Sequence, residues 1–283
     1  MNGPLLALDV PWLLYRSYYG IPRSVKGVDG MPVGALLGTV NTTLALVEAL
    51  APRAVACCFG AEDAVYRREL YPAYHAHREP MPAELRAQWD LAPQLLGAFG
   101  WALRAHAELE ADDVLWSASR VEQASGGQTL IATADRDLYQ AADERTAVLE
   151  LRREGGPGTI GPAEVRAKAG VEPAQIPDLI ALRGDPSDGL PGARGIGAKT
   201  AAALLREHGH LEGVLAAATA GRLAPRASLT LRAQAQELRD FKHIATLQDV
   251  PFERPHDATT DRAGGAAAAR ELGMNALAKR LED

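Results

Sequence analysis

The 283-residue sequence contains two cysteines, few lysines and no long hydrophobic run. Cys57 and Cys58 are adjacent, and because neighbouring residues on a strand point to opposite faces, we expect no disulfide between them. No cysteines have the spacing of a zinc site. Residues 1–14 lack the basic start of a signal peptide and are interrupted by Asp9 and Pro11, and no segment is long enough to span a membrane. We therefore expect a protein of the reducing cytoplasm.

Acidic residues outnumber basic ones, 36 to 30, and the formal net charge is -6. This balance excludes a uniformly basic nucleic-acid coat, so any polyanion binding must come from a local basic patch or a bound metal. The hydrophobic fraction of 47% is ordinary for a globular protein and excludes fibrous and fully disordered classes. Arginine supplies most of the positive charge and is the better ligand for phosphate.

Apolar strand patterns alternate with helical patterns in the first half of the chain. Strands are predicted at 5–8, 54–59, 101–106, 129–133 and 146–151, and helices at 33–50 and 111–124. This alternation predicts an α/β fold with a mainly parallel central sheet flanked by helices. Residues 66–93 form a long connection rich in Tyr, Pro, His and Arg, and such loops are usually functional or disordered.

The second half of the chain reads differently, because strand patterns end near residues 155–158 and helical patterns follow. Helices are predicted at 162–169, 173–182, 198–208, 211–218 and 226–246. We therefore divide the chain into an α/β region, 1–155, and a mostly helical region, 156–283.

Acidic residues follow the predicted strands. Asp9 comes after the first strand, and Asp135 and Asp137 come after the strand at 129–133, with an i, i+2 spacing that can aim both side chains the same way. Ligands of parallel α/β sheets bind beyond the carboxyl ends of the strands. The acids expected to converge there are Asp9, Glu110, Asp112, Asp113, Asp135, Asp137, Asp185 and Asp188.

Converging carboxylates repel one another unless they are protonated or neutralised by a cation. A set of oxygen ligands without His or Cys suits Mg²⁺ or Mn²⁺ rather than zinc, and two such ions can activate water and stabilise the leaving oxygen of a phosphodiester. The alternative is that Asp112 and Asp113 favour a helix N-terminus and that Asp185 and Asp188 form a turn. The combination with the strand-end acids favours the metal site.

A glycine-rich turn, residues 192–200, precedes an Ala/Leu-rich helix. It nearly spells a phosphate-loop signature, but Ala198 stands where glycine is required and no strand precedes it, which excludes that interpretation. A helix-hairpin-helix would present backbone N–H groups and a helix N-terminus to a DNA phosphate, whatever the base sequence. An ordinary glycine turn between two helices is the alternative.

Four motifs occur in an order that resembles a known family. Residues 71–78, Y-P-A-Y-H-A-H-R, resemble Y-P-x-Y-K-x-N-R, and residues 110–113 match E-A-D-D. Residues 133–138, T-A-D-R-D-L, resemble T-G-D-x-D-L, and residues 184–192, G-D-P-S-D-G-L-P-G, resemble G-D-x-S-D-N-I-P-G. The chain thus resembles the 5′-nucleases, the flap endonuclease / 5′–3′ exonuclease family that includes the 5′-nuclease domain of bacterial DNA polymerase I. No polymerase portion follows in the sequence, so the chain resembles a stand-alone member of the family.

The resemblance implies a PIN-like 5′-nuclease core, an arch at 66–93 and a DNA-gripping helix-hairpin-helix (H3TH) at 184–208. It implies two or more Mg²⁺ or Mn²⁺ ions held, directly or through water, by the eight acids above, and it allows a monovalent cation such as K⁺ at the hairpin. Three residues are implied in phosphate contact or catalysis: Arg67, His75 and Arg78. The implied DNA-binding residues are Arg16, Tyr18, Tyr74, Arg194, Gly195, Gly197, Lys199 and Thr200. Tyr19 is a further stacking candidate, and core packing is the alternative for Tyr18 and Tyr19.

Three departures from the family pattern bear on the metal site. Gly60 follows Phe59 where the family has Asp, so Glu62 or Asp63 would have to substitute. The family's D-G-N after the first strand is D-V-P here. His75 replaces the arch lysine, and a histidine carries only partial charge near neutrality, so its electrostatic help would fall as pH rises.

We therefore predict a structure-specific 5′-nuclease that hydrolyses DNA phosphodiester bonds in replication and repair, as a monomer without membrane contact. Two alternatives stay open. One is a catalytically weak family member that binds branched DNA, suggested by Gly60 and His75. The other is a metal-dependent RNase on a related fold, against which the glycine hairpin speaks.

Overall fold

The computed structural model describes residues 3–151 and 158–283 of the chain. Within them, six strands form one sheet in the order β3-β2-β1-β4-β5-β6. The strands are β1 (Leu5–Asp9), β2 (Ala54–Phe59), β3 (Ala102–Ala105), β4 (Thr129–Ala132), β5 (Thr146–Glu150) and β6 (Gly158–Ile160). The first five are parallel, and β6 pairs antiparallel with β5. The mainly parallel sheet predicted from the sequence is thus confirmed.

The central strands are buried along their whole length, which explains their continuous apolar sequences. All residues of β1 and β2 are buried, whereas the edge strand β3 alternates between half-buried and exposed residues. Helices on both faces of a parallel sheet produce this pattern. Strand β6 was not predicted because it has only three residues, and the expected domain boundary at residue 155 lies outside the described residues.

Thirteen α-helices flank the sheet in the part of the chain that the structure describes. In the first half they are α1 (Val10–Gly20), α2 (Gly34–Leu50), α3 (Val65–Leu70), α4 (Ala83–Gly97) and α5 (Ala111–Ala124). In the second half they are α6 (Pro162–Ala169), α7 (Ile176–Arg183), α8 (Ala198–His208), α9 (Leu211–Thr219), α10 (Pro225–Ala233), α11 (Ala235–Ala245), α12 (Arg262–Glu271) and α13 (Asn275–Glu282). The predicted helix at 226–246 is two helices, separated at Gln234.

The expected long connection at 66–93 is largely helical. Helix α3 and the first three turns of α4 fall within it, and only residues 71–82 between them lack helix. Helix α4 forms because Leu85, Ala92 and Leu95 place an apolar face in the core. Buried Gln88 fixes its position, since its side-chain oxygen accepts the backbone N–H of Ala35 at 2.8 Å.

The core consists of two apolar clusters, one on each face of the sheet, while the expected division at residue 155 stays a prediction. One cluster joins α5 and the helices α6–α11. The other joins α1, α2 and α4 with the last two helices, through residues such as Ala269 and Leu277. The region 156–283 therefore does not pack as one unit, because its last helices belong to the core of the first region.

Cys57 and Cys58 are both free and buried in β2, as expected. Among the described residues, no helix is long and apolar enough to cross a membrane.

Candidate active site

A cleft of about 660 Å³ opens beyond the carboxyl ends of the central strands. Four carboxylates line it: Asp9, Asp135, Asp137 and Asp185. Asp9 is the last residue of β1, and Asp135 lies just after β4, the strand that pairs with β1. The parallel pairing of these two strands therefore brings acids together that are more than a hundred positions apart in the sequence.

Asp9 is held rigidly at the bottom of the cleft. It is 5% exposed, its Oδ1 accepts the backbone N–H of Trp12 at 3.0 Å, and its Oδ2 accepts the hydroxyl of Thr133 at 2.7 Å. The first contact caps α1, so Asp9 ends a strand and begins a helix at the same time. Burial raises its pKa, and these two hydrogen bonds oppose the rise.

Asp135 lies in the open part of the cleft, yet the protein packed around it makes ionisation costly. This raises its pKa to about 6. The backbone N–H of Asp137, which donates to Asp135 Oδ1 at 2.8 Å, opposes the rise, and the charges of Asp188, Asp9 and Asp185 add to it. Asp135 thus shares one electrostatic site with three other acids.

The pKa values of Asp137 and Asp112 are raised well above the usual range for the same reasons. For Asp137 the cause is burial, followed by repulsion from Asp135, Asp188 and Asp185, and only Arg183 acts in the opposite direction. For Asp112 the cause is burial, followed by repulsion from Asp135, Asp9, Glu110 and Asp137. Asp112 therefore belongs to the same group of acids, although it comes from helix α5. The cleft concentrates negative charge that its own cations do not balance.

The donor set fits hard divalent cations. All of the converging groups are carboxylates, and Mg²⁺ and Mn²⁺ prefer oxygen ligands. Within residues 3–151 and 158–283, no three His, Cys, Asp or Glu side chains are close enough together to hold a metal ion in their present positions. Mg²⁺ needs no such cage, because it retains several waters and is bound by one or two carboxylates plus substrate phosphate.

Glu110 and Asp113 are engaged with the protein instead of the cleft. Arg67, which is 3% exposed, lies 3.0 Å from Glu110 Oε1 and donates to Asp113 Oδ1 at 2.9 Å. Glu110 Oε1 also accepts the N–H of Ala64 at 2.9 Å. Asp113 is fully buried, and its Oδ1 accepts the backbone N–H of Gln248 at 2.8 Å. Asp113 thus has structural contacts at the start of α5, and the expectation that Asp113 and Glu110 ligate a metal stays a prediction.

Arg67 is buried and does not line the cleft, and its expected phosphate contact stays a prediction. Besides its two acidic partners, its Nε donates to the carbonyl of Ile244 at 3.0 Å. Its guanidinium therefore ties α3 to the start of α5 and to the end of α11. A buried arginine between two carboxylates is a structural tie that DNA could reach only by breaking it.

His75 and Arg78, from the segment between α3 and α4, converge on Asp188. His75 is 5% exposed, its Nδ1 lies 2.5 Å from Asp63 Oδ1, and its Nε2 lies 3.1 Å from Asp188 Oδ1. Its backbone N–H donates to the carbonyl of Asp188 at 3.1 Å. Half-exposed Arg78 approaches the same carboxylate at 3.4 Å. His75 is therefore placed to position Asp188, whereas Arg78 retains a free face toward solvent.

Two of the predicted stacking tyrosines are core residues. Tyr18 is 6% exposed, and Tyr74 is 4% exposed with its hydroxyl donating to Glu110. Neither residue lines the cleft, which favours the core-packing alternative for Tyr18, and the DNA contacts of Tyr18 and Tyr74 stay predictions. Tyr19 is 69% exposed. The sequence reasoning missed Trp12, which lines the cleft beneath the guanidinium of Arg16, 5.7 Å from its ring centroid.

Gly60 leaves no room for the carboxylate that the family pattern has at this position. A Cβ on Gly60 would lie 2.2 Å from the backbone nitrogen of Ala111 and 2.3 Å from the carbonyl carbon of Glu110. The start of α5 thus occupies the space of the missing side chain. The expected substitutes are also engaged, because Glu62 pairs with Arg86 and Asp63 pairs with His75.

The glycine hairpin is exposed beside the cleft. Arg194, Gly195, Gly197, Lys199 and Thr200 are all exposed, and Ala198, the first residue of α8, lines the cleft. Gly195 has a φ of +80° and open space where a Cβ would be, so the turn needs glycine for its backbone conformation alone. Backbone N–H groups at the start of α8 therefore face the same side of the molecule as the acids.

Comparison with known proteins relates both halves of the chain to one protein family. Residues 4–170 match the family model of the 5′–3′ exonuclease N-terminal resolvase-like domain, and residues 171–263 match that of the 5′–3′ exonuclease C-terminal SAM fold. A 5′–3′ exonuclease of Streptomyces coelicolor is 37% identical over 303 residues, covering 98% of both chains. A 5′–3′ exonuclease of Mycobacterium tuberculosis is 38% identical over 239 residues, covering 77% of this chain and 74% of the relative.

Longer relatives and solved structures agree with this result. The thermostable DNA polymerase I of Thermus thermophilus is 35% identical over 99% of this chain, which spans 32% of the polymerase. The fold resembles that of T5 5′-exonuclease with bound zinc ions, with a TM-score of 0.67 at 18% identity, covering 99% of this chain and 97% of that one. It also resembles the catalytic core of Rad2 in complex with DNA substrate, with a TM-score of 0.67 at 13% identity, covering 99% and 90%.

Proposed function

The chain belongs to the 5′–3′ exonuclease family and is a nuclease, and from this premise we propose how it acts. It hydrolyses phosphodiester bonds of DNA near 5′ ends or 5′ flaps, with Mg²⁺ or Mn²⁺ held in the carboxylate cleft. One observation carries the proposal: four acids, at the end of β1, after β4 and in the turn after α7, line one cleft with only two arginines among its described lining residues, and the charge of Asp112 at the start of α5 adds to theirs. The charge of the carboxylates repels a phosphate backbone that crosses the cleft, and bound divalent cations would remove this repulsion.

The ions would be held by the four carboxylates that line the cleft, Asp9, Asp135, Asp137 and Asp185, and by Asp112 and Asp188, whose charges interact with them. Bound divalent ions would lower the pKa of a coordinated water and offset the charge that develops on the phosphate. The protein fixes the geometry, because Thr133 and the start of α1 orient Asp9, and His75 orients Asp188. Arg78 supports the phosphate from the exposed side.

The glycine hairpin is proposed to hold duplex DNA while the cleft cuts. Exposed Arg194 and Lys199 supply charge, and the start of α8 supplies backbone donors, which together suit phosphates and ignore base sequence. K⁺ at this turn is part of the proposal. Because the grip is on phosphates, DNA affinity should fall steeply with salt. We propose that the protein works as a monomer in replication and repair, in the cytoplasm, where a reducing environment suits its free cysteines.

Cleavage of a fluorescently labelled 5′-flap duplex tests the proposal. We expect no product in chelator, product that increases with Mn²⁺ or Mg²⁺, and cuts near the base of the flap. A nicked duplex, a free 5′ end and an RNA flap in the same assay define the preferred substrate and test the RNase alternative. Absence of divalent-dependent cleavage on every DNA substrate would overturn the proposal.

The surroundings of Gly60 support one alternative, a family member that binds branched DNA but cuts it slowly. The closed space at Gly60 and the pairing of Glu62 and Asp63 reduce the number of free carboxylates. Tight flap binding that requires Mn²⁺ but yields little product would favour this alternative. Mn²⁺ titration by electron paramagnetic resonance then counts the ions that the cleft retains.

A further inference from the structure

A second, smaller pocket adjoins the cleft and is lined by no acid among the described residues. It lies between the short helical turn Asp137–Ala141, helix α6 and helix α7. Its volume is about 180 Å³, the space of roughly six waters in the liquid. A single planar ring system fits such a space, whereas larger substituents would remain at the mouth.

The inner wall of the pocket is apolar and partly aromatic. Tyr139, Ile176, Leu179 and Ile180 form it, and each is less than a tenth exposed. They are anchored in the core on the α5 side of the sheet, so the wall is rigid. A rigid wall with an aromatic member suits the face of a nucleobase, and contact of this kind does not depend on base identity.

The rim of the pocket is cationic. Arg136, Lys168 and Arg183 surround the mouth. Among the described residues, the guanidinium of exposed Arg136 makes no ion pair, while Lys168 contacts Glu150 at 2.8 Å and Arg183 contacts Asp185 at 3.4 Å. Three cations around an apolar wall exclude a metal ion as the ligand and favour an anion with a flat apolar body.

The pocket is also continuous with the candidate active site. Arg136 and Arg183 line both the pocket and the cleft. Arg136 stands between Asp135 and Asp137 in the chain, so an anion bound by it lies directly beside the carboxylate group. We propose that this pocket binds one nucleoside 5′-monophosphate unit, with the base on the apolar wall and the phosphate between Arg136 and Arg183.

The identity of the ligand rests on the proposed function, because a DNA nuclease meets nucleotides in two forms. One is the 5′-phosphorylated end of a strand, and the other is a free mononucleotide released by cutting. Both present the same base and phosphate to the pocket. In either form, the pocket would retain a nucleotide next to the reacting phosphate and thereby set the register of the strand.

Calorimetric titration of the whole chain in chelator tests the pocket without any cleavage. The ligands are dAMP, deoxyadenosine and inorganic phosphate. We expect dAMP to bind at least about tenfold more tightly than either fragment, because only dAMP uses both the wall and the rim. Ala169→Leu places extra volume in the pocket, and we expect it to weaken dAMP binding about tenfold. Lys168→Gln removes a rim charge, and we expect it to weaken dAMP binding about threefold.

The matched control is Arg166→Gln on the same helix, since Arg166 pairs with Glu172 at 2.9 Å and does not line the pocket. Thermal melting verifies that each variant is folded. If Ala169→Leu is not folded, Lys168→Gln alone tests the pocket. Equal affinity for dAMP and phosphate, or dAMP affinity that neither folded pocket variant changes, would overturn the proposal.

The two sources of the nucleotide are separated with duplexes that carry a 5′-phosphate or a 5′-hydroxyl. Preference for the 5′-phosphate that the pocket variants abolish assigns the site to strand ends, and preference for dAMP alone assigns it to free nucleotides. Flap cleavage by the unmodified chain is measured separately in Mn²⁺. Absence of flap cleavage would contradict the proposed nuclease mechanism, whereas the calorimetric result tests nucleotide binding independently.

Discussion

Helix α5 carries acids at both of its ends, and the protein treats the two ends in opposite ways. Near its last turn, Glu122 is fully buried between Arg53, which is 3% exposed, and Arg254. Burial alone would raise the pKa of Glu122, but hydrogen bonds from the two arginines outweigh it and lower the pKa. At the first turn, Asp112 meets four other acids, and burial and repulsion raise its pKa.

The comparison shows that this fold can neutralise a buried carboxylate where structure requires it. At the amino ends of the strands, Glu122 forms ion pairs with two arginines, and Asp257 also pairs with Arg53 at 3.0 Å. At the carboxyl ends, burial and neighbouring acids raise the pKa values of Asp135 and Asp137, and the charge of Arg183 does not offset the rise at Asp137. The excess negative charge is therefore a local property of the cleft, and a bound cation from outside the chain would neutralise it.

The largest effect is expected from removing two acids of the cleft. In Asp135→Asn/Asp137→Asn, flap cleavage should fall on the order of 10³-fold, because ion binding and the transition-state charge stabilisation it provides are lost. The stability of the fold should stay equal or rise, since two repelling charges disappear. Gel-based cleavage rates and urea unfolding measure both. The control is Asp29→Asn/Asp90→Asn at two exposed acids outside the cleft; parent-like cleavage by the cleft variant would contradict the metal site.

The opposite behaviour is expected at the other end of α5. Glu122→Gln leaves buried Arg53 without its main counter-charge and should lower the free energy of unfolding by about 3 kcal/mol. Cleavage per folded molecule should change little, because Glu122 is remote from the cleft. Urea unfolding compares this variant with Glu212→Gln, whose loss of an exposed pair with Arg239 should lower the free energy of unfolding far less. Equal losses in the two variants would show that the arginine cluster is not a structural centre.

Much of the site could be predicted from the sequence, because strand ends and acid spacing are local features. Asp9, Asp135 and Asp137 follow apolar strands, and parallel pairing of those strands leaves them no other meeting point. The five parallel strands were predicted within one or two residues for the same reason. The roles of neighbouring acids were not accessible in this way. Asp112 and Asp113 are adjacent, and only the packing of α5 decides which of them faces the cleft.

Residues whose role depends on distant partners were the least predictable. Arg67 and His75 were expected at the DNA, but three-dimensional packing gives each of them two carboxylate partners from other elements. Residues 66–93 read as a loop because tyrosines, prolines and charges obscured the apolar face of α4. The return of α12 and α13 to the core cluster of α1, α2 and α4 leaves no local signal, since an Ala-rich helix can pack against either region.

A smaller effect is expected at His75, whose two ring nitrogens contact Asp63 and Asp188. His75→Gln can keep only one of the two ring contacts, so Asp188 should be held less firmly. We expect Mn²⁺ affinity, measured by electron paramagnetic resonance without DNA, to fall about tenfold. His77→Gln, at the exposed histidine two residues on, is the matched control. Unchanged Mn²⁺ affinity in folded His75→Gln would leave His75 no positioning role.

The smallest effect, and the one that tests the comparison most directly, is the pH dependence of stability in chelator. The raised pKa of Asp135, from 3.8 to about 6, means that its stabilising contribution is fully present below about pH 3.8 and is lost as pH rises through about 6. Asp135→Asn does not titrate, so its advantage over the parent should grow between about pH 4 and 7. Water in the open cleft limits that advantage to about 1 kcal/mol.

Glu122 should show the reverse slope. Its lowered pKa means that its contribution is present above the ordinary value of 4.5 and is lost as pH falls through the lower value in the folded protein. The deficit of Glu122→Gln should therefore shrink in acid, while the advantage of Asp135→Asn shrinks there too, because the parent becomes protonated at Asp135. Saturating Mg²⁺ at neutral pH should abolish the advantage of Asp135→Asn and leave the deficit of Glu122→Gln unchanged. If Mg²⁺ altered both variants alike, the cation would not act at the cleft.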